Sequence, residues 1–261
     1  MRTTAIMNLK GGTAKTVTAI NLAAILARDY AQRVLLVDAD SQANLTEFVT
    51  EGLPDGISLG GFSDLLRGTE AFPMPTKMQN VKILAADATL MELDVTAATT
   101  GLAHPMALAD FLDTVEDRFD WCVIDCPPAF SAAAMTALIA ADEVVIPMKV
   151  DSFGMRGISN MMNQIRNMRR INPELEIAGV LPTMTYPDKT QNEKLAELRG
   201  VLAQYHVRTF NSIRRSALVD RSTFSQEALI TASPKSKCLF DYRVFVTRLI
   251  GDSFDEEGGE I

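Results

Sequence analysis

The sequence predicts an α/β fold: a mostly parallel, twisted sheet flanked by helices on both faces, with a helical C-terminal portion. Three observations carry this expectation. Short β-rich runs recur along the chain, and longer stretches with helical spacing separate them. The runs are also apolar throughout instead of alternating, as strands buried on both faces must be.

Taken in order, the first strand is the run from Ala5 to Leu9, which stops at Lys10, Gly11 and Gly12. From Lys15 to Asp29, the residues Ala19, Leu22, Ala23 and Leu26 fall at helical spacing. Arg33 to Asp38 (RVLLVD) is a continuous apolar run ending in an acid. Val81 to Ala85, Trp121 to Cys126, Glu143 to Met148 and Ile177 to Leu181 repeat that theme. Helices are expected over roughly Pro105 to Asp117, Ser131 to Ala141, Gly154 to Arg170 and Asp188 to Gln204. The Pro- and Gly-containing span from Gly52 to Pro75 reads as an irregular insertion with one short helix, Phe62 to Arg67. Residues from about 208 onward are expected to form helices packed on one domain that covers residues 1–250. The remainder, 251–261, carries five acids and no base, and reads as a solvated, disordered extension.

Composition bounds the function. A chain of 261 residues that is 47% hydrophobic and 22% charged can bury a substantial core and is neither disordered nor fibrous. No run of about 18 uncharged apolar residues occurs, so no membrane-spanning helix is expected. The N-terminus runs straight into strand-like residues without a signal-peptide pattern. Three cysteines cannot form a paired disulfide framework, and a cytoplasmic setting is expected. The formal net charge of −8 hides an asymmetry: residues 1–155 hold 10 Lys/Arg against 20 Asp/Glu, whereas residues 156–250 hold 15 against 8. Such a split marks either a polyanion-binding face or charges that the fold brings together and cancels.

The sharpest feature is Asn8-Leu9-Lys10-Gly11-Gly12-Thr13-Ala14-Lys15-Thr16, between the first strand and the first helix. Glycines let the backbone turn tightly and present successive N–H groups to phosphate oxygens. The helix start adds its positive dipole end. Lys15 would reach the β- and γ-phosphates, and the Thr16 hydroxyl would ligate Mg²⁺. The general pattern G-x-x-x-x-G-K-[ST] is not met, because Leu9 and Ala14 occupy its two glycine positions. The version present is K-G-G-x-x-K-T. A Gly-Gly turn between solvated lysines is the plain alternative, and its placement between strand and helix counts against it. Asp38 and Asp40 stand at the end of a buried strand, where ligand sites of open α/β sheets lie, and Asp125 ends another. One such acid suits orienting a water for attack on a γ-phosphate, and Asp125 suits holding the Mg²⁺ shell.

With these motifs the sequence resembles the ParA/MinD class of deviant Walker ATPases, a branch of the P-loop NTPases. Lys10 matches the signature lysine of that class, which in an ATP-bound dimer reaches the partner's phosphates. VLLVDADSQANLT (Val34 to Thr46) matches its second strand and following segment, WCVIDCPP (Trp121 to Pro128) its D-x-P-P strand, and VVIPMKVDSFGMRG (Val144 to Gly157) the next strand and helix start. The resemblance covers about residues 1–185. It implies that Lys10, Gly11, Gly12, Thr13, Ala14, Lys15, Thr16 and Val17 hold ATP, that Thr16, Asp40 and Asp125 form the Mg²⁺ set, and that Lys10, Lys15 and Asp40 act in hydrolysis. Three departures stand out. Ala14 replaces a common glycine, tolerable with helical φ. Val17 replaces a second threonine, leaving its backbone N–H to bind phosphate. Ser41 replaces a proline without consequence.

Weaker signals have plain readings. Cys122 and Cys126 share one side of a strand and read as core, as do Met161, Met162 and Met168 on a helix. His104 and His206 are isolated. Arg166, Arg169 and Arg170 suit a helix C-terminus. Arg214, Arg215 and Arg221, followed by Lys235 and Lys237, occupy the region that in ParA-type proteins contacts DNA phosphates without reading sequence. The resemblance therefore implies an ATP-dependent homodimer that binds nonspecific DNA, associates with the nucleoid and partitions a replicon with a ParB-like partner. No basic amphipathic helix ends the chain, so no membrane partner is expected. A positioning ATPase acting through protein partners, and a P-loop metabolic ligase, are the alternatives.

Overall fold

The computed structural model describes residues 1–52, 60–101 and 104–251, so the acidic segment beyond Gly251 lies outside the described residues. The N-terminal half supplies β1 (Arg2–Ile6), α1 (Lys15–Asp29), β2 (Val34–Asp38), α2 (Asn44–Thr50), α3 (Phe62–Leu66), β3 (Met74–Pro75), β4 (Val81–Leu84), α4 (Leu90–Thr100) and α5 (Ala107–Val115). After a 3₁₀ turn follow β5 (Trp121–Asp125), α6 (Ala132–Ala140), β6 (Glu143–Lys149), α7 (Ser152–Met168), β7 (Glu176–Thr183), α8 (Lys189–Ala203), α9 (Ala217–Phe224), α10 (Leu229–Ala232) and α11 (Lys237–Gly251).

The strands form one sheet in the order β3-β4-β2-β5-β1-β6-β7, parallel except for β3, which pairs antiparallel with β4. The expected runs fall on β2, β4, β5, β6 and the edge strand β7. β1 instead spans Arg2–Ile6, and the residues from Met7 to Leu9, expected to continue it, belong to the loop. Successive strand residues point to opposite faces. On β2, Leu35 and Val37 join one core with α5, α6, α7 and α8, while Val34 and Leu36 join the other with α1, α10 and α11. Helices thus cover both faces, as the sequence predicts. Cys122, Cys126, Met161, Met162 and Met168 are all buried in the first core.

Three elements escape the sequence reading. Helix α2 is hidden in the segment after Asp38. Helix α4 buries only Leu90 and so carries no apolar stripe. Its place is fixed by a polar contact instead, with Asp94 accepting a hydrogen bond from the Ala132 N–H at the start of α6 (2.9 Å). Strand β3 is two residues long, and Pro75 within it blunts the sheet edge.

Candidate nucleotide-binding site

β1 lies between β5 and β6, and the loop that leaves it climbs over the C-terminal edge of the sheet. Asn8 anchors the loop twice: its Nδ2 donates to the Pro147 carbonyl (2.7 Å), and its Oδ1 accepts from the Lys10 N–H (2.9 Å). Thr183, at the end of β7, donates to the Thr13 carbonyl (3.1 Å) and braces the far side. Gly12 takes φ +67°, and a Cβ built at Gly11 or Gly12 would meet nothing within 4 Å. The mouth of the loop is open.

Ala14 corrects an expectation. Its φ is 68° and ψ 33°, the left-handed region, and not the helical φ under which alanine would be neutral there. It is the N-cap of α1 and offers no side-chain acceptor, so the first N–H groups of the helix face the loop unclaimed by a cap. That arrangement suits an anion.

Lys15 is buried and curls back so that its Nζ donates to the Lys10 carbonyl (3.4 Å). Burial lowers its pKa, against the opposing pull of Asp125 and Asp40. Lys10 points elsewhere: its Nζ pairs with Asp151 at 3.0 Å, just beyond β6.

Asp38 and Asp125 are register partners on adjacent strands, and both are buried. Asp38 Oδ2 accepts from the N–H and the hydroxyl of Thr46 (both 2.8 Å), and Oδ1 from the Asp40 N–H (3.1 Å). Burial still pushes the Asp38 carboxyl up to about 6. Asp125 is held well above the usual carboxylate range by burial and by the charge of Asp38, although the Thr16 hydroxyl donates to it. Its Oδ1 has no hydrogen-bond partner. A buried, orphaned carboxylate oxygen beside a threonine hydroxyl and a lysine ammonium is costly without a cation or donor to complete it. Asp40, half-buried, has its Oδ1 fixed by the Gln42 N–H (3.0 Å).

These hard oxygen donors fit Mg²⁺, which prefers one or two carboxylates completed by phosphate and water. Among the described residues no three acids, histidines or cysteines cluster so as to hold a metal ion by themselves.

A protein-family profile described as "AAA domain" matches residues 1–177. The chain belongs to the ParA/MinD family of P-loop ATPases. It is 36% identical over 186 residues to the chromosome-partitioning ATPase Soj of Thermus thermophilus, covering 70% of each chain. To the chromosome partitioning protein ParA of Caulobacter vibrioides it is 29% identical over 244 residues, 88% of this chain and 87% of that one. Among solved structures it resembles cobyrinic acid a,c-diamide synthase from Mycobacterium smegmatis with bound ATP analog and magnesium, at TM-score 0.81 and 26% identity, covering 98% and 96% of the two chains.

In this family member, Lys15 and Thr16 of the loop lie beside the strand-end acids Asp38, Asp40 and Asp125. Asn8, Thr46 and Asp151 stand inside the quoted motifs but carry no role there, because each acts through a hydrogen bond that spacing does not reveal. A pocket of about 200 Å³ opens at the N-terminal end of α1, between Ala14, Val17, Met184, Arg215 and Tyr242. A second groove, lined by Ala24, Arg28, Phe48 and Lys77, lies toward the far end of α1, away from this chemistry.

Of the expected DNA-contacting residues, Arg214 and Arg215 line the pocket that Ala14 and Val17 of the loop also line. Arg214 is spoken for: its Nε and Nη2 both reach the Asp241 carboxylate on α11 at 2.6 Å. Arg215 donates to the Tyr186 hydroxyl (2.6 Å). Arg221, Lys235 and Lys237 are exposed. No helix among the described residues is long and apolar enough to cross a membrane.

Proposed function

We propose that this protein is a ParA-type partition ATPase. Its ATP-bound form is a sandwich dimer that binds DNA without sequence preference, and slow hydrolysis stimulated by a ParB-like centromere-binding partner releases it. The observation that carries the reading is the orphaned Asp125 Oδ1 beside Thr16, facing an open loop into which Lys15 is folded. Lys10, Gly11, Gly12, Thr13, Ala14, Lys15, Thr16 and Val17 hold the phosphates, and the pocket beside Val17 takes the base. Thr16, Asp40 and Asp125 hold Mg²⁺, which neutralises charge on the phosphate oxygens when bound. Asp40 orients the attacking water, and Lys15 stabilises the charge that develops on the γ-phosphoryl group. Lys10 leaves Asp151 to complete the site of the second subunit.

Arg214, Arg215, Arg221, Lys235 and Lys237 supply the DNA face, with dimerisation doubling the phosphate contacts on one duplex. The protein would be cytoplasmic, and bound to the nucleoid when loaded with ATP. A gel-shift series with and without ATP at low salt tests the reading. Retardation is expected only with ATP, and it should weaken steeply as salt rises. A protein that shows no DNA affinity with ATP at low salt is a positioning ATPase acting through protein partners. Likeness to an amide-forming synthase favours the ligase alternative on fold alone, and turnover of a small carboxylate substrate would decide for it.

A further inference from the structure

The groove toward the far end of α1 encloses about 670 Å³, the size of a small-molecule site. The C-terminal half of α1, Phe48 of α2, the link from β3 to β4 and the link from α9 to α10 build it. Ala24, Ala27 and Ala228 contribute small side chains, which let a flat group approach closely. Two cations line it as well. Arg28 donates from Nη1 to the Ile230 carbonyl (3.0 Å), and the Lys77 ammonium lies over the Phe48 ring, 5.2 Å from its centre. Partial burial lowers the Lys77 pKa against the pull of Glu51 and Glu227, so a further anion beside it would stabilise its charged form.

Gln226 is the residue that folding alone leaves unexplained. It takes φ 49° just past α9, a left-handed position that glycine fills without strain. Its Oε1 is buried with no hydrogen-bond partner among the described residues, and the residue lines the groove. Strain and an unmatched acceptor at one residue are the pattern of a side chain that serves a ligand.

We propose that this groove binds a nucleoside monophosphate, at a second site separate from the phosphate loop at the other end of α1. The phosphate pairs with Arg28 and Lys77, the base lies against the alanines, and an N–H of the base donates to Gln226 Oε1. Glu227, exposed beside them, suits the ribose hydroxyls. An inorganic anion would fill little of this volume and leave Gln226 unmatched. An acidic peptide would use the cations, but the three carboxamides of Gln79, Asn80 and Gln226 are the groups that pair with base edges. The proposal does not depend on what the phosphate loop holds.

Equilibrium dialysis of the full chain against labelled AMP tests it. One AMP should bind per chain, and that binding should survive Lys15→Ala. Arg28→Gln and Lys77→Gln should each weaken it about ten-fold, the scale of one charge-assisted contact. Gln226→Gly should weaken it about five-fold or more while raising the thermal midpoint of the ligand-free protein, a combination that a purely structural glutamine would not give. AMP binding that is lost in Lys15→Ala but kept in the groove variants would place AMP in the phosphate loop and overturn the proposal. Inorganic phosphate or ribose 5-phosphate that displaces AMP at equal concentration would reduce the groove to an anion site and overturn it too. So would an absence of binding at millimolar AMP. ATP titration of the parent and Lys15→Ala chains reads the loop separately, so either site can fail alone.

Discussion

Lys10 Nζ lies 3.0 Å from Asp151 Oδ1, so the second cation of the loop is held by its own chain. Lys149 approaches the same carboxylate at 3.7 Å. The Lys10 side chain is 38% exposed and that of Asp151 27%. A pair this open is worth at most about 1 kcal/mol, which a phosphate can readily outbid. Asp151→Asn should therefore change the unfolding free energy by less than about 1 kcal/mol. It should also lower the ATP concentration at which the proposed dimer forms, read by sedimentation velocity. A weaker dimer would show that Asp151 orients Lys10 for the partner instead of restraining it.

The Asp38 carboxyl predicts a pH dependence. Burial raises it to about 6, so the fold favours its protonated form. Its contribution is complete below the pKa of the unfolded chain and is lost as pH rises through about 6. The loss amounts to about 3 kcal/mol at most, from a shift of roughly two units. Urea unfolding of the nucleotide-free protein between pH 4.5 and 7.5 should show stability falling across this window. Asp38→Asn should flatten that fall. An unchanged slope would assign it to other groups.

Ala14 holds a left-handed conformation, φ 68°, at the N-cap of α1. An L side chain there costs roughly 1 kcal/mol, a cost glycine escapes. Ala14→Gly should raise the midpoint of thermal unfolding of the nucleotide-free protein. A lower midpoint would mean that the entropy glycine gains in the unfolded chain outweighs the relief of strain.

Much of this architecture is legible in the sequence because its signals are local. Helix α1 runs from Lys15 to Asp29 as its apolar spacing predicts, and β2 and β5 are continuous buried runs. Asp38 and Asp125 are placed by strand ends alone, and the structure adds that they face each other across one register position. What the sequence hides is held by tertiary polar contacts. Helix α4 is tied to α6 by Asp94, Asp38 is held by Thr46, and Arg214 turns toward Asp241. None of these has a periodicity. The Arg214 pair has a practical consequence: Arg214→Glu would set a carboxylate against the buried Asp241, so its effect on DNA binding could not be separated from damage to the fold.

Lys15→Ala should abolish ATP binding. Its ammonium is buried beside the Lys10 carbonyl, where burial disfavours its charge and Asp125 and Asp40 favour it. Removing it leaves two acids facing the triphosphate with no cation from the loop interior. Fluorescent-nucleotide titration reads the loss directly, and undiminished affinity would mean that the loop does not hold phosphate.

Asp40 separates binding from chemistry. Its Oδ1 is fixed by the Gln42 N–H at 3.0 Å, while Asp125 and Thr16 lie deeper, against the start of α1. Asp40 lies at the rim of the proposed Mg²⁺ set, which Thr16 and Asp125 still anchor without it, and its negative charge works against the phosphates. It is placed to act on a water approaching from the open side. Asp40→Ala should therefore keep ATP affinity, lower hydrolysis at least about a hundred-fold, the scale of a lost general base, and accumulate the ATP-bound dimer on size exclusion. Asp125→Asn should instead weaken Mg²⁺-dependent ATP binding, because it alters the orphaned oxygen itself. If Asp40→Ala hydrolyses ATP at the parent rate, the water is oriented by Asp38 or by another group, and the assignment of Asp40 fails while the nucleotide site stands.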